Sequence, residues 1–494
     1  MYILSIDQGT TGTTATLIES ESLKLVDKVN KEFRQILPKP GLVEHDLNDI
    51  WHSVGITVQE VLKKNNVDPK KILAIGITNQ RETTCCFDNR GTPLHHAIVW
   101  QDRRTESFCQ ELRNSKSADS IKSKTGLPID PYFSGTKMNW ILNSFRDSKN
   151  VPESIHFGTI DTFLLFKLTA GASFATDASN ASRTLLMNLD TLNWDDELLD
   201  IFGVDKKMLP EIKDSFSHFG TTKDLSFLPD GIPITGILGD QQAALFGQTC
   251  FSAGEMKCTY GTGAFILLNT GDKKTYSKNG LLTTVAFSHE GKATYALEGS
   301  CYIAGAAVQW LRDNLQLIKS ASDIEAIANQ VTDLDEMKNI IFYPFFTGLG
   351  SPYWLSDATA SIVGLTRDTR TSHLSRACLE GIAQSISDII NAFKTDFPHL
   401  KDEIRVDGGA VVNNLLMQMQ SNFSKIKIQR PNVIETTSYG AGLAAAIGAK
   451  LKSFDDLKNL FSIEKEFNSD KSLASYYDSK RELWRQTIQK LYAR

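Results

Sequence analysis

The sequence predicts an α/β fold with two similar lobes and an active-site cleft between them. The chain has 494 residues, more than one hydrophobic core usually serves, so two domains of about 200 to 250 residues each are expected. Hydrophobic residues at 41% and charged residues at 22% are typical of a globular protein. A strand, turn and strand pattern opens the chain and restarts after a glycine-rich stretch near residue 250. We therefore predict lobes at 1–248 and 249–494, with ligands bound in the cleft.

The first lobe is predicted to begin with two strands joined by a turn rich in glycine and threonine. Apolar residues fill 2–6 and 15–18, and residues 7–13 between them form what is called here the first glycine turn. A helix is expected to begin at Asp46, because apolar residues recur after it at helical spacing. The other elements predicted in this lobe are strands at 23–29, 72–78, 83–87 and 97–100 and a helix from about 105.

The second lobe is predicted to repeat that plan. Strands at 255–260 and 264–269 flank Gly261, Thr262 and Gly263, called here the second glycine turn. Strand and helix patterns then alternate to the end of the chain, as expected of an α/β domain. They are a helix at 303–315, a strand at 340–345, a helix at 374–393, a strand at 403–406 and a helix from Asn413.

Asp240 is placed at the end of a strand by an apolar run, 234–238, that ends on Gly239. Ligands in open α/β sheets bind beyond the carboxyl ends of the strands, so an acid at this point is a candidate catalytic group. Aspartate is also a favoured N-cap residue, and a helix is expected to begin near Gln242. The two interpretations are equally weighted by this stretch alone.

Both glycine turns are candidates for binding phosphate. A tight turn of this composition directs several backbone N–H groups and hydroxyls at one point, which suits an anion. An ordinary hairpin turn explains either one alone, whereas equivalent positions in a repeated plan favour a nucleotide. The segment from Asp407 to Asn413 contains Gly408 and Gly409 between a strand and a helix, and is a third candidate. Gly440 and Gly442 resemble a dinucleotide motif but follow no strand, so close helix packing explains them better.

Composition excludes several other classes of protein. A formal net charge of −5 argues against a dedicated nucleic-acid binder. The seven cysteines include no C-x-x-C pair, so a reducing compartment, the cytoplasm, is expected. The first residues contain no basic leader, and no apolar run approaches the ~18 residues of a membrane span, so neither a signal peptide nor a transmembrane segment is predicted.

Several motifs, taken in order, resemble the FGGY family of carbohydrate kinases, which are related in fold to actin and built from ribonuclease-H-like lobes. Arg81-Glu82 and Asp240-Gln241 are similar to the elements of the glycerol-phosphorylating branch of that family. The stretches that carry the resemblance begin at Asp7, Gly76, Trp100, Tyr132, Gly239, Tyr260, Gln309 and Arg405 and together cover nearly the whole chain.

The resemblance implies ATP-dependent phosphorylation of glycerol to sn-glycerol 3-phosphate, with Mg²⁺ as cofactor and Asp240 as the catalytic base. An arginine that only donates beside a glutamate that only accepts suits a polyol. Magnesium is expected near Asp7 and Asp240 through waters. The implied substrate residues are Arg81, Glu82, Trp100, Tyr132, Asp240, Gln241 and Phe265. The implied nucleotide residues are Thr10, Thr11, Gly12, Thr262, Gly305, Gln309, Gly409 and Asn413.

The sequence departs from the family at two places. Many members of the glycerol-phosphorylating branch have two serines and an arginine at these positions, whereas this chain has Gly12, Thr13 and Thr14, with Thr14 at the position of the arginine. Related kinases of the family also carry Gly-Thr there, so activity is still expected. Some members bind fructose 1,6-bisphosphate through a glycine and an arginine, but the corresponding run here contains Asp230, so no such inhibition is predicted. Activation by histidine phosphorylation is not predicted either, because Ser226 occupies the corresponding place. The family suggests a homodimer or homotetramer.

Two other functions compete with this prediction. One is a related kinase that acts on a pentulose or another polyol. The other is a non-catalytic actin-like module, which would need both glycine turns but not Arg81, Glu82 and Asp240 together.

Overall fold

The computed structural model describes residues 1–355 and 357–492. The chain divides into two units that are not continuous in sequence. Unit 1 contains Met1–Thr249, Thr283–Tyr295 and Thr436–Leu460, and unit 2 contains Cys250–Leu282, Ala296–Glu435 and the chain from Phe461 onward. Two segments that the sequence prediction placed in the second lobe therefore belong with the first.

The strands and helices are numbered in chain order. The strands are β1 Tyr2–Gln8, β2 Gly12–Glu19, β3 Leu25–Glu32, β4 Glu44–His45, β5 Ile72–Asn79, β6 Thr84–Phe87, β7 Pro93–Ile98, β8 His156–Gly158, β9 Ala175–Asp177, β10 Met187–Asn188, β11 Asn193–Trp194, β12 Glu211–Lys213, β13 Gly220–Thr221, β14 Pro233–Gly239, β15 Met256–Tyr260, β16 Ala264–Gly271, β17 Leu282–His289, β18 Lys292–Cys301, β19 Ile341–Tyr343, β20 Ser361–Val363, β21 Glu403–Asp407, β22 Lys427–Pro431 and β23 Ile463–Phe467. The helices are α1 Leu47–Lys64, α2 Glu106–Arg113, α3 Ala118–Thr125, α4 Ser134–Asp147, α5 Ile160–Leu168, α6 Ala178–Ala181, α7 Asp196–Phe202, α8 Asp240–Gly247, α9 Gly305–Asp313, α10 Asp323–Ala328, α11 Thr371–Asp396, α12 Asn414–Ser424, α13 Thr436–Gly448, α14 Phe454–Leu457 and α15 Ala474–Tyr492.

Unit 1 is organised around a six-stranded sheet of order β13-β14-β5-β1-β2-β3. Strand β1 pairs antiparallel with β2 and parallel with β5, and β5 pairs parallel with β14. The predicted strand, turn and strand opening therefore supplies two adjacent inner strands of this sheet.

Helices α1 and α13 cover the two faces of the unit 1 sheet. Successive side chains of a strand point to opposite faces, so Leu4 and Ile6 join the core cluster that contains the apolar residues of α1. On the other face, the Ser438 hydroxyl of α13 lies 3.4 Å from that of Ser5. A Cβ added to Gly76 would lie 2.0 Å from the carbonyl oxygen of Ala441, so α13 rests directly on β5.

Unit 2 repeats the strand order of unit 1. Its sheet places neighbours in the order β18-β16-β15-β21-β22-β23. Strand β15 pairs antiparallel with β16 and parallel with β21, and β21 pairs parallel with β22. In each unit an antiparallel hairpin thus lies beside two parallel strands, and the predicted repeated α/β plan is confirmed.

The described residues contain no helix that is both long and apolar enough to cross a membrane. All seven cysteines are free thiols in buried positions.

Candidate active site

Three parallel strands of unit 1 end at the same edge of its sheet. Asp7 of β1 is level with Thr78 of β5, and Thr78 is level with Leu238 of β14. Asp7 and Asp240, together with the residues that follow Asn79, are therefore delivered to one edge. This is the edge at which open α/β sheets bind ligands.

Asp240 is the first residue of α8, and the N-cap position belongs to Gly239. Its Oδ1 accepts a hydrogen bond from the backbone N–H of Gln241 at 2.7 Å and lies 3.2 Å from Nε of Arg81. The helix N-terminus and the guanidinium both favour the ionised carboxylate. The side chain is 28% exposed, so a ligand can reach it. Asp240 is therefore not the N-cap residue of α8, although its carboxylate bonds to the first turn of that helix.

Arg81 and Glu82 lie almost completely buried beside Asp240. Oε1 of Glu82 accepts a hydrogen bond of 2.6 Å from Nε of Arg183 and lies 3.9 Å from Nε of Arg81. Nη1 of Arg81 also donates to the side-chain oxygen of Gln242 at 3.2 Å. Buried charges are costly unless they are paired, and this cluster pairs an acid with arginines on both sides.

Arg183 is a site residue that the sequence prediction missed. It is fully buried, and its guanidinium lies 5.6 Å from the ring centre of Tyr132. It follows α6, whose buried N-cap Asp177 also accepts the Ser179 hydroxyl at 3.0 Å. The available signal was weak: a run of small and polar residues, Ala178 to Ser182, ending in an arginine.

Trp100 and Tyr132 form an aromatic wall in unit 1. Their ring centres are 5.7 Å apart in an edge-to-face arrangement, a favourable geometry for aromatic pairs. Tyr132 is 5% exposed and Gln241 is 6% exposed. The indole N–H of Trp100 donates to the hydroxyl of Thr10 at 2.9 Å, which links the wall to the first glycine turn.

The first glycine turn is held by a buried polar network. The Gly9 N–H donates to the Gly12 carbonyl at 2.9 Å. The Gln80 amide donates to the Gly9 carbonyl at 3.2 Å, and the Gln35 amide donates to the Thr10 carbonyl at 3.1 Å. These contacts fix the backbone of the turn, and Thr11 within it is exposed.

His45 connects the two glutamines of that network. Its Nδ1 is 3.3 Å from Nε2 of Gln80, and its Nε2 is 2.8 Å from Oε1 of Gln35. Burial lowers the pKa of His45 to about 4, so the ring is neutral at pH 7. Since an amide nitrogen only donates, Nδ1 accepts from Gln80 and Nε2 donates to Gln35.

Unit 2 brings the second glycine turn together with the start of α9. The backbone N–H of Gly305 donates to the Gly261 carbonyl at 3.0 Å, and that of Ala304 donates to the Thr262 carbonyl at 2.8 Å. A Cβ on Gly305 would lie 2.7 Å from the Gly261 carbonyl oxygen, so this approach requires glycine. Gln309 is exposed on the same helix.

The predicted third element lies beside the second glycine turn. Gly408 has a φ of +89°, and a Cβ there would lie 2.4 Å from the carbonyl oxygen of Tyr260. A Cβ added to Gly409 would have no atom within 4 Å, so there is space on that side for the close approach of a ligand. The Asn413 side chain is the N-cap of α12, accepting from the Leu416 N–H at 2.9 Å, so it also has a structural task.

Phe265 belongs to unit 2, where it is paired with Thr259 in the hairpin of β15 and β16. It is partly buried. The other predicted substrate residues, Arg81, Glu82, Trp100, Tyr132, Asp240 and Gln241, all belong to unit 1.

The residues at the unit 1 edge fit a hydrated Mg²⁺. Among the described residues, no three or more His, Cys, Asp and Glu side chains gather where they could hold a metal ion. Asp7 lies on β1 and Asp240 follows β14, and these strands are separated by β5, about 10 Å across the sheet. Magnesium keeps several waters and takes one or two carboxylates plus substrate phosphates, so this pair suits an ion held through waters.

Both halves of the chain match one protein family. The FGGY family of carbohydrate kinases matches with its N-terminal domain at residues 2–247 and with its C-terminal domain at residues 256–449. The chain belongs to this family of carbohydrate kinases, and the sequence resemblance is confirmed.

Several relatives within the family carry a particular name. The glycerol kinase of Bdellovibrio bacteriovorus is 49% identical over 477 residues, 94% of each chain, and that of Oceanobacillus iheyensis is 48% identical over 475 residues, 95% of this chain and 94% of the other. The crystal structure of Plasmodium falciparum glycerol kinase with ADP has a TM-score of 0.88 and 38% identity, covering 99% of this chain and 98% of that one. A gluconate kinase from Lactobacillus acidophilus, at 24% identity and a TM-score of 0.88, shares the fold.

Proposed function

We propose that the protein transfers the γ-phosphoryl group of ATP to a primary hydroxyl of glycerol, giving sn-glycerol 3-phosphate, with Asp240 as the general base. The observation that carries the proposal is the buried pair of Arg81 and Glu82 beside the accessible carboxylate of Asp240. A molecule with three adjacent hydroxyls needs both donors and acceptors, and this cluster supplies both within a few ångströms. The high identity to glycerol kinases supports the same substrate.

Glycerol is proposed to bind in unit 1. Arg81 donates to the hydroxyls, Glu82 accepts from them, and Trp100 and Tyr132 contact the carbon chain. Gln241, 6% exposed, adds a side-chain amide next to Asp240. Phe265 of unit 2 is proposed as a further apolar contact. Fixing the orientation of the alcohol is a main source of rate enhancement in phosphoryl transfer.

Asp240 is proposed to take the proton of the attacking hydroxyl. Phosphoryl transfer has a loose transition state, so positioning and electrostatics dominate, and a base accepts the proton of the attacking hydroxyl. Arg81 stabilises the ionised form of Asp240 before the reaction.

The nucleotide is proposed to bind through both glycine turns. Thr10, Thr11 and Gly12 meet the phosphates from unit 1. The proposed nucleotide residues of unit 2 are Thr262, Gly305, Gln309, Gly409 and Asn413. A bound Mg²⁺, held near Asp7 and Asp240 through waters, would neutralise phosphate charge.

The assignment of Asp240 is tested by Asp240→Asn. Asparagine keeps the shape of the side chain but cannot accept the proton, so turnover is expected to fall by about two to four orders of magnitude. Glycerol binding, measured by calorimetry, is expected to remain detectable. Glycerol 3-phosphate formation in a coupled assay gives the rate, and Asp196→Asn, a variant of an 86% exposed aspartate, is the matched control. Near-normal turnover of Asp240→Asn would contradict the assignment.

A pentulose kinase of the same family is the competing enzyme. Its relatives among solved structures, such as the xylulose kinase of Lactobacillus acidophilus at 24% identity, share the fold. A phosphorylation screen over glycerol, other polyols and ketoses separates the two functions. If Mg-ATP and every tested acceptor gave no phosphorylated product, a non-catalytic nucleotide-binding module would be favoured instead.

A further inference from the structure

We propose that Lys137 is a positioning residue for the polyol: from helix α4 it holds the strained turn that presents Glu82 and fixes the backbone of Tyr132. The inference rests on the proposed function, because Glu82 and Tyr132 are its glycerol-binding residues. Lys137 was part of a family-like motif in the sequence but had no assigned task.

Glu82 is at the centre of an unusual turn. The backbone N–H of Thr83 donates to the carbonyl of Arg81 at 2.7 Å, a bond that spans three residues and defines a γ-turn. Glu82 has a φ of +60°, in the left-handed region that residues other than glycine rarely adopt. Such strain persists only where the surrounding structure over-determines it, and it is concentrated at functional sites.

Two side chains of α4 provide that restraint. The Glu82 carbonyl accepts a hydrogen bond of 2.9 Å from the hydroxyl of Ser134 and one of 3.2 Å from Nζ of Lys137. Nζ of Lys137 also donates to the Tyr132 carbonyl at 2.6 Å. A single ammonium group therefore joins the backbones of two residues that are 50 positions apart in sequence.

The burial of Lys137 is costly for folding alone. The side chain is completely buried, and this burial lowers the pKa of its amine to about 8, while the nearby carboxylate of Glu82 opposes the shift. An apolar side chain of the same length would avoid the desolvation cost. The lysine is explained by the two backbone carbonyls, of Glu82 and Tyr132, that its ammonium group holds in place.

The main test is Lys137→Met, which keeps the length of the side chain and removes its hydrogen bonds. Without these bonds the γ-turn at Glu82 is free to relax, so the Glu82 carboxylate, the proposed acceptor for the glycerol hydroxyls, moves. We expect the KM for glycerol to rise about tenfold or more while kcat changes by less than about threefold and the KM for ATP stays the same. A lysine with only a structural role would lower the thermal midpoint and the active fraction without moving the KM for glycerol.

Ser134→Ala is the second variant, and it decides the outcome if Lys137→Met does not fold. It removes the second α4 donor to the Glu82 carbonyl with little change in volume and leaves the Thr84 hydroxyl, 3.3 Å away, in place, so a smaller rise in the KM for glycerol is expected. In the double variant the two effects are expected to be non-additive, since both residues act on one carbonyl group.

The matched control is Lys394→Met. Lys394 belongs to unit 2 and donates from Nζ to the Ser424 carbonyl at 2.9 Å. The Lys394→Met variant also removes a lysine that donates to a backbone carbonyl, but this lysine is partly buried and lies in unit 2. Its thermal midpoint is expected to fall, with the KM for glycerol unchanged.

The two proposals fail in different ways. A wild-type protein that forms no glycerol 3-phosphate overturns the proposed function and this inference with it. A wild-type protein that is active, with the KM for glycerol unchanged in the folded Lys137 and Ser134 variants, overturns the role of Lys137 alone.

Discussion

Thr14, the residue after the first glycine turn, lacks the charge that many members of the family have at this position. It lies on β2, level with Asp7 of β1, and its hydroxyl accepts a hydrogen bond of 2.9 Å from the Asn30 amide. A guanidinium at this position would lie next to the turn proposed to bind phosphate. Arginine binds phosphate through two parallel hydrogen bonds, which threonine cannot form.

We expect Thr14→Arg to lower the KM for ATP about threefold to tenfold, corresponding to ~1 kcal/mol for a partly exposed charge pair. Steady-state kinetics at saturating glycerol measure the change. Thr14→Gln, which adds length without charge, is the control and should leave the KM for ATP near that of the wild type. If Thr14→Arg changed neither the KM for ATP nor the turnover, the charge at this position would be irrelevant.

The sequence alone predicted the position of Asp240 at the end of a strand, because such an end is recognisable from an apolar run and a glycine, and β14 does end at Gly239. Arg81 was predicted from the family resemblance, and it lies two residues after the end of β5. Arg183 was not found, since its partner Glu82 is 101 positions away and no local pattern connects them. The positive φ of Glu82 was equally invisible, because glutamate carries no signal for a left-handed backbone.

At the scale of elements, the core strands were predicted more accurately than the edges. The opening strand, predicted at 2–6, is Tyr2–Gln8, whereas the third strand, predicted at 23–29, is Leu25–Glu32. Residues of this third strand are alternately exposed, and its end is fully exposed. Its backbone pairing therefore continues beyond its apolar residues. The long helix α11 likewise extends past the predicted 374–393 to Thr371–Asp396, because its ends are polar.

Helix α13 is the element whose position was hidden from the sequence. Nearly all its residues are buried, so its sequence shows no apolar face that would indicate a partner. Its glycines indicated close packing, and this is confirmed: a Cβ on Gly440 would lie 1.9 Å from the carbonyl oxygen of Ala243 in α8. The contact holds the helix that begins with Asp240.

We expect Gly440→Ala to destabilise the protein by about 1–3 kcal/mol, the usual cost of overpacking, and to lower its thermal midpoint. Gly55→Ala in α1 is the control, because a Cβ there would meet its nearest neighbour, Phe227, at an ordinary 3.4 Å. Alanine is a better helix former than glycine by roughly 1 kcal/mol, so this control should be neutral or stabilising. Equal midpoints for Gly440→Ala and the wild type would show that α8 and α13 can separate at no cost.

For the whole molecule, the sequence indicated two lobes but not how the chain is shared between them. The two similar hairpins, β1–β2 and β15–β16, are what indicated two lobes of the same plan. The return of Thr283–Tyr295 and Thr436–Leu460 to unit 1 depends on contacts between segments far apart in sequence, for which local patterns give no information. Stability of unit 1 thus depends on residues from both ends of the chain, and one buried acid makes that stability sensitive to pH.

That acid is Asp161, which is completely buried in unit 1. Burial raises the pKa of its carboxyl to about 7, and the nearby Asp177 adds to the shift. The hydroxyls of Thr159 and Thr176 donate to it at 2.5 and 2.6 Å, which only partly offsets the desolvation. In the unfolded chain the same carboxyl titrates near 3.8.

Between these two pKa values the folded protein binds a proton that the unfolded chain has lost, so Asp161 makes the free energy of unfolding fall as the pH rises from about 4 to 7. The slope reaches at most about 1.4 kcal/mol per pH unit.

Asp161→Asn removes the titrating group, so the stability of the variant relative to the wild type should increase across this window and level off above pH 7. Urea unfolding at pH 5, 6 and 7.5, followed by tryptophan fluorescence, measures the difference. Asp335→Asn, a variant of a 71% exposed aspartate, is the control, and its free energy of unfolding should change with pH in the same way as that of the wild type. Parallel profiles for Asp161→Asn and the wild type would mean that Asp161 remains ionised in the folded protein.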